Sequence, residues 1–220
     1  MLEAYRFVIR HPEMLAKWVV DHLWISFVAI VIGVILGVTV GIYITGKGKQ
    51  QLADLVLYFA EIMMTVPSLA LFGLLMLFLS LMGLNAIGFL PAVITLIVYG
   101  QLPILRNTYI AIREVDPVMI EAGRGMGMSE RQLLLKIKLP LALPIIMAGL
   151  RNAMMLIIGI AAIAALIGAG GLGVPIFRGL RNARMDLIII GGVSVSVLAL
   201  MVDGLMALLE RWITPAGLKG

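Results

Sequence analysis

The sequence of 220 residues contains no cysteine, which excludes disulfides, thiolate metal sites and thiol catalysis. Charged residues are also scarce, at 13% of the chain against about 25% in ordinary soluble domains. Hydrophobic residues instead make up 62%, a surplus that one soluble core of this size cannot bury. The composition therefore predicts an all-α integral membrane protein and argues against a soluble enzyme or a disordered chain.

Five apolar stretches are long enough to cross a bilayer as helices, which takes about 20 residues. They are Leu23–Ile44, Leu52–Met82, Ile87–Thr108, Met147–Ile167 and Leu187–Leu209. The second stretch is too long for one upright span and too short for two, so we expect one tilted helix that is kinked near Pro67. We expect residues 1–220 to form a single transmembrane domain, in which residues 1–22 are an N-terminal interfacial segment.

Glycines recur at every fourth position of the first apolar stretch, at Gly33, Gly37 and Gly41. This spacing places them on one helix face and allows another helix to approach closely. The alternative is that glycine is simply common in membrane helices. We expect these three residues to mark a helix-packing face.

The distribution of basic residues predicts the orientation in the membrane. Ten would lie on the side that holds the long polar loop: Lys47, Lys49, Arg106, Arg113, Arg124, Arg131, Lys136, Lys138, Arg211 and Lys219. Six would lie on the opposite side: Arg6, Arg10, Lys17, Arg178, Arg181 and Arg184. Because loops rich in lysine and arginine stay in the cytoplasm, we expect the N-terminus outside and the C-terminus inside.

The long polar stretch, residues 106–140, carries the start signals of two short helices. Asp116 can cap the first of them, and Gly127 suits the left-handed turn at its end. Ser129 and Gln132 have the spacing of a capping box, which starts the second. We therefore expect a structured two-helix loop on the cytoplasmic side, not a solvated interfacial loop.

The second helix is expected to run to about Lys138 and to be closed by Pro140. Across the loop the sequence reads Glu121-Ala122-Gly123, three residues, Gly127, nine residues, Ile137, one residue, Leu139-Pro140. This pattern resembles the EAA loop of ABC importer permeases, with Gly123 in place of the family's alanine. The five-span order and the glycine-rich segment Gly168–Gly173 are similar to the methionine-importer-like permease fold.

The resemblance implies that the loop docks on a separate ATPase, whose ATP-driven closure would switch the permease between inward-facing and outward-facing states. It assigns the coupling contacts to Glu121, Ala122, Gly123, Gly127, Ile137, Leu139 and Pro140. It also implies an ATPase dimer, a second permease chain that is the same or closely related, and an extracytoplasmic substrate-binding protein. ATP and Mg²⁺ would bind to the ATPase, so no cofactor or metal, no enzymatic activity and no nucleic-acid partner are expected of this chain.

Three segments are similar to permeases of osmoprotectant importers, which handle glycine betaine, carnitine and choline. They are Thr65–Ala70, Tyr99–Tyr109 and Glu210–Leu218. This resemblance implies an osmoprotectant substrate and a bacterial or archaeal cytoplasmic membrane. Import of an amino acid such as methionine is the alternative within the class, and a stand-alone channel or secondary transporter is the alternative outside it.

Polar residues inside the spans are candidates for the translocation path, because ionisable groups are costly in a bilayer and usually face a cavity or a partner. The candidates are Glu61, Tyr99, Gln101, Asn107 and Asn152. Packing between helices is an equally good explanation for the uncharged ones. Arg151 and Asp203 are expected to reach the interface or to pair with a neighbouring helix.

Two glycine-rich segments match phosphate-binding patterns only formally. Gly41–Gly48 lacks the hydroxyl residue that ends a P-loop, and a membrane helix precedes it instead of a strand. Gly168–Gly173 fits a dinucleotide-binding pattern, yet no βαβ unit surrounds it. We therefore expect no nucleotide site at either position, and we expect the second segment to form an external turn.

Overall fold

The structure is a computed structural model that describes residues 2–213. The final part of the osmoprotectant-like ending, from Thr214 onward, and the basic residue Lys219 lie outside the described residues. Within the described part the chain forms ten α-helices, a π-helical turn at Leu134–Lys138 and a 3-10 turn at Ile163–Ile167. The α-helices are α1 Leu2–Arg10, α2 Pro12–Ile44, α3 Gln50–Thr65, α4 Ser68–Leu81, α5 Phe89–Arg113, α6 Pro117–Gly125, α7 Glu130–Leu133, α8 Leu139–Ala161, α9 Gly173–Arg181 and α10 Met185–Ile213.

Four helical segments of the described chain are long and apolar enough to cross a membrane. They are Pro12–Ile44, Phe89–Arg113, Glu130–Ala161 and Met185–Ile213. The pair α3 and α4 passes the same test together but bends by 104° between its two members. Counting that pair as one crossing gives five spans, which confirms the predicted all-α membrane fold.

The second span is broken, not kinked as predicted. Helix α3 ends at Thr65, and Val66 and Pro67 are both extended before α4 begins. A proline ring disfavours the helical conformation of the residue before it, so Val66 leaves the helix. The Tyr99 hydroxyl donates to the Val66 carbonyl, which supplies a partner for a backbone group that the break exposes.

The N-terminal region does not divide at residue 22 as predicted. Residues 12–22 are the first turns of α2, which is 33 residues long. Only the short helix α1 precedes it, and Ala4 of α1 packs with Leu187 and Ile190 near the start of α10. The N-terminal helix is therefore attached to the last span.

The prediction that Pro140 closes the second loop helix is wrong. The π turn at Leu134–Lys138 leads directly into α8, with Pro140 in its first turn. Proline is tolerated there because the first N–H groups of a helix have no helical partner. The loop helix therefore continues into the fourth span, which begins before the predicted Met147.

Helix α5 occupies the centre of the fold, between α2 and α8. The main buried cluster joins Ile25 and Ala29 of α2, Leu96 of α5, and Ala153 and Ile157 of α8. A second cluster at the loop end of the same helices contains Ala111, Ile112, Ala142 and Ile146. This continuous core holds the polar loop at one end of the helical bundle.

Candidate functional site

The two-helix loop has the local structure that its sequence predicts. The Asp116 carboxylate accepts a hydrogen bond from the Val118 N–H at 2.8 Å. At the start of α7, the Gln132 N–H donates to Ser129 Oγ at 3.3 Å, and the Ser129 N–H donates to Gln132 Oε1 at 2.8 Å. Both predicted caps are therefore formed, and each fixes the start of its helix, Asp116 that of α6 and Ser129 that of α7.

Glycine is required at the turn between α6 and α7 for a conformational reason. Gly127 has a φ of +76°, in the left-handed region that other residues adopt only with strain. Space is not the constraint, because a Cβ at this position would meet nothing within 4 Å. Gly127 therefore sets the angle between the two loop helices.

Gly123 lies inside the loop. It is buried, and a Cβ there would lie 2.5 Å from Leu133 Cδ2 and 2.6 Å from Ile137 Cδ1. The departure from alanine at this position thus has a local cause, which is the close packing of α6 on Leu133, itself 1% exposed. Ile137 is half-buried in this contact, and Leu139 and Pro140 form the first turn of α8.

The outer surface of the loop is suited to contact with another protein. Glu121 and Ala122 are exposed on α6, and Val118 and Met126 are 67% and 71% exposed beside them. Exposed apolar side chains next to a charge, on a rigid and capped helix, are typical of a docking surface. We call Val118, Glu121, Ala122 and Met126 the docking face.

One ion pair attaches the loop to the turn between α2 and α3, and a second joins the two loop helices. The Glu130 carboxylate accepts hydrogen bonds from Lys47 Nζ at 3.1 Å and from Arg124 Nη2 at 3.1 Å. All three side chains are exposed, so each pair contributes little to stability. Their geometric effect is to connect the two polar turns at this end of the molecule.

Three of the path candidates are bonded to the backbone. Tyr99 donates to Val66 at the helix break, as described above. Gln101 donates to the Gly33 carbonyl at 3.2 Å, and Asn107 donates to the carbonyl of Pro103 at 2.8 Å. The bond of Tyr99 connects α5 to the α3–α4 break, and the bond of Gln101 connects α5 to α2.

The remaining two path candidates lie on the surface of the helical bundle. Asn152 is exposed on α8. Glu61 forms an ion pair with Arg106 of α5, and both side chains are nearly half exposed. Asn152 and the Glu61–Arg106 pair are therefore accessible to a ligand or to another chain.

His22 has a structural role that the sequence does not indicate. It is fully buried, and its Nδ1 accepts the Leu172 N–H at 3.2 Å while Nε2 lies 3.1 Å from the Ile158 carbonyl. Since Nδ1 accepts, the proton is on Nε2. His22 thereby joins α2 to α8 and to the glycine-rich segment, where Gly171 is in the left-handed region. The bonding partners lie 136 and 150 residues away in sequence, so no local pattern indicates them.

Arg151 pairs with two acidic residues of α10. Pairing with a neighbouring helix was one of the two predicted alternatives. Its Nη2 lies 2.9 Å from Asp203 Oδ1 and 3.0 Å from Asp203 Oδ2, and its Nη1 lies 3.0 Å from Glu210 Oε2. Unpaired charges in a membrane helix are costly. This cluster therefore connects α8 to α10 within the membrane domain.

The structure thus combines a membrane domain of about five spans with a capped, two-helix polar loop at one end. The chain belongs to the family described as "Binding-protein-dependent transport system inner membrane component", which matches residues 19–215. It is thus the permease subunit of an ABC importer and a multi-pass membrane protein. This assignment removes the alternative of a stand-alone channel or secondary transporter.

Relatives with known roles cover nearly the whole chain. The osmoprotectant import permease protein OsmW of Salmonella typhimurium is 38% identical over 218 residues, covering 99% of this chain and 100% of the relative. The glycine betaine/carnitine/choline transport system permease protein OpuCB of Bacillus subtilis is 42% identical over 200 residues, covering 91% and 88%. The permease of the methionine ABC transporter MetNI, solved in inward-facing conformations, superposes with a TM-score of 0.80 at 25% identity, covering 94% of this chain and 99% of that one.

Proposed function

We propose that this chain is the permease of an importer for quaternary ammonium osmoprotectants such as glycine betaine, carnitine and choline. The observation that carries the proposal is identity of 38–42% over nearly the whole chain to permeases with those substrates in their names. Methionine import is the second candidate, and the similarity to the methionine transporter supports it. That similarity is lower in sequence, at 25% identity, so we favour the osmoprotectants.

Transport by this chain is driven by a separate ATPase that binds the docking face. The support is local: Val118 and Met126 are largely exposed beside Glu121, on helices whose caps and Gly127 turn fix their geometry. A loop of fixed geometry transmits a movement of the ATPase to the membrane helices without deforming. ATP and Mg²⁺ are bound by the ATPase, and this chain supplies neither a nucleotide site nor a cofactor.

The complete importer contains two ATPase subunits, a second permease chain and an extracytoplasmic binding protein. The second permease is either another copy of this chain or a close relative. The N-terminus lies outside and the C-terminus inside the cytoplasmic membrane, because the basic loop and its Lys47 connection then face the cytoplasm. The binding protein delivers the substrate at the opposite face.

Uptake by the reconstituted importer tests the proposal. The chain is placed in proteoliposomes with its ATPase and binding protein, and ATP-dependent uptake of labelled glycine betaine, carnitine, choline and methionine is measured. We expect uptake of at least one quaternary ammonium compound and none of methionine. Uptake of methionine alone would establish the second candidate instead.

A matched pair of glycine variants tests the coupling role of the loop. Gly125 and Gly127 are both exposed, and a Cβ at either meets nothing within 4 Å, but only Gly127 has a positive φ. We expect Gly127→Val to reduce ATP-driven uptake at least about tenfold, because a β-branched residue is strained in that conformation and changes the turn. Gly125→Val should retain most uptake. Equal uptake by the two variants at equal expression would contradict the coupling role.

A further inference from the structure

A cavity of about 590 Å³ opens between α3 and α5 on the surface of the membrane domain. It is lined by Asp54, Leu55, Leu57, Tyr58, Glu61 and Arg106. Its size falls within the range of small-molecule sites, and its lining combines apolar side chains with a few convergent polar groups. None of the residues that line the cavity belongs to the docking face.

The charged pair of the cavity lies along the helices and away from their ends at the polar loop, whereas Asp54, which also lines the cavity, is four residues from the start of α3. Arg106 precedes the end of α5 at Arg113 by seven residues, which is about 10 Å along a helix. Glu61 follows the start of α3 at Gln50 by eleven residues, or about 16 Å. Both charges therefore lie well inside their helices, away from the ends that face the polar loop.

This face of α3 is unsuited to contact with lipid tails. The side chains of Arg106 and Glu61 are 49% and 41% exposed although they pair with each other, and Asp54 is exposed at the same cavity. Charges inside a membrane protein face a partner or a water-filled cavity, because hydrocarbon cannot solvate them. Helix α3 contacts α5 and buries Ala53 and Ala60, whereas Asp54 and Glu61, each one residue further along, remain accessible at the edge of that contact.

The pair Glu61–Arg106 matches the two ends of a zwitterion. A guanidinium binds a carboxylate through two parallel N–H donors, while a carboxylate and an aromatic face both attract a quaternary ammonium group. Tyr58, 63% exposed, precedes Glu61 by nearly one helical turn and lines the same cavity. A zwitterion aligned antiparallel to the ion pair places opposite charges together at both ends and leaves no added net charge.

We infer that Arg106, Glu61 and Tyr58 form a substrate site within the permease, in which Arg106 binds the carboxylate and Glu61 with Tyr58 binds the quaternary ammonium group. This inference rests on the proposed osmoprotectant function and assigns its contacts. It distinguishes substrates, because glycine betaine and carnitine carry both groups whereas choline carries only the ammonium. Arg106 is then a determinant of specificity and Glu61 a contact common to all three.

The test compares maximal uptake rates for glycine betaine and choline in proteoliposomes containing the whole importer. The binding protein is supplied saturated with substrate, so its own affinity does not enter the measured rate. We expect Arg106→Gln to lower the ratio of glycine betaine to choline uptake at least about tenfold, because it removes the charge-assisted contact with the carboxylate. Arg106→Lys keeps the charge but not the two-pronged donor, and should lower the ratio less. Glu61→Gln should slow uptake of both compounds.

Arg178→Gln is the matched control, because it removes an exposed arginine from α9 far from this cavity in sequence, and it should leave the ratio unchanged. If the Glu61–Arg106 pair is purely structural, Arg106→Gln and Arg106→Lys will each slow uptake of both substrates equally. That result would overturn this inference and leave the proposed function intact. An unchanged ratio in Arg106→Gln would overturn it as well. If the unmodified importer transports none of glycine betaine, carnitine and choline, the proposed function itself fails, and the inference with it.

Discussion

At the scale of single residues, the three glycines of α2 face α5 but differ in how much room they leave. A Cβ on Gly33 would lie 3.5 Å from the nearest atom of Gln101, which is ordinary contact. On Gly37 it would lie 2.6 Å from Ile104 Cγ2, and on Gly41 2.8 Å from the Thr108 Cβ. The sequence spacing identifies the face, whereas the differences depend on which α5 side chains lie opposite.

These distances predict unequal effects of the same substitution. Gly37→Ala forces a β-branched neighbour on a central helix to move, and overpacking of this kind costs about 1–3 kcal/mol. Gly33→Ala should leave stability unchanged or raise it by up to about 1 kcal/mol, because its methyl group fits and alanine favours the helix. Thermal unfolding of the two variants, purified in the same detergent, measures the difference. Equal melting temperatures would show that α2 and α5 are not packed this closely.

Single-residue patterns were informative where they act locally. The Asp116 cap and the Ser129 capping box involve residues two or three apart, so sequence spacing was sufficient to predict both. The position of Gly123 was not predictable in this way, because Leu133 and Ile137 reach it only after the chain reverses at Gly127. A small residue assigned to docking is therefore also one that the loop needs for its own packing.

At the scale of helices, proline predicted the end of a helix less reliably than expected. Pro67 accompanies a break of 104°, whereas Pro140 lies in the first turn of α8 and Pro144 lies inside it. The difference lies in the preceding segment. Before Pro140 the chain forms a π turn, in which the Leu139 N–H donates to Leu134, and such bulges absorb local irregularity within a helix. Before Pro67, Val66 is extended.

The contact between α8 and α10 gives a prediction at this scale. Asp203 accepts hydrogen bonds from both Nε and Nη2 of Arg151, whereas Glu210 accepts one from Nη1 alone. We expect Asp203→Asn to lower the free energy of unfolding by about 1–2 kcal/mol and Glu210→Gln by less than about 1 kcal/mol, because these side chains are partly exposed. Denaturation of each purified variant measures the loss. A larger effect for Glu210→Gln would mean that the second acid is the main partner of Arg151.

At the scale of the whole molecule, the five-span order followed from the lengths of the apolar stretches, and the structure confirms it. The connections between helices did not follow, because His22 and Arg151 find partners more than 50 residues away. Hydrophobicity specifies how many segments enter the membrane, but it carries no information about which of them meet. Charge bias adds a direction, and the predicted orientation depends on that bias alone.

Cysteine labelling tests the orientation with little background, because the chain has no cysteine of its own. Arg178→Cys places a thiol on α9, and Arg131→Cys places one on α7; both positions are exposed. With the N-terminus outside, a membrane-impermeant maleimide added to intact cells should label Arg178→Cys at once and Arg131→Cys only after permeabilisation. The two variants control for each other, since each must be labelled in permeabilised cells. The reverse pattern in intact cells would place the docking face outside, where no ATPase could reach it.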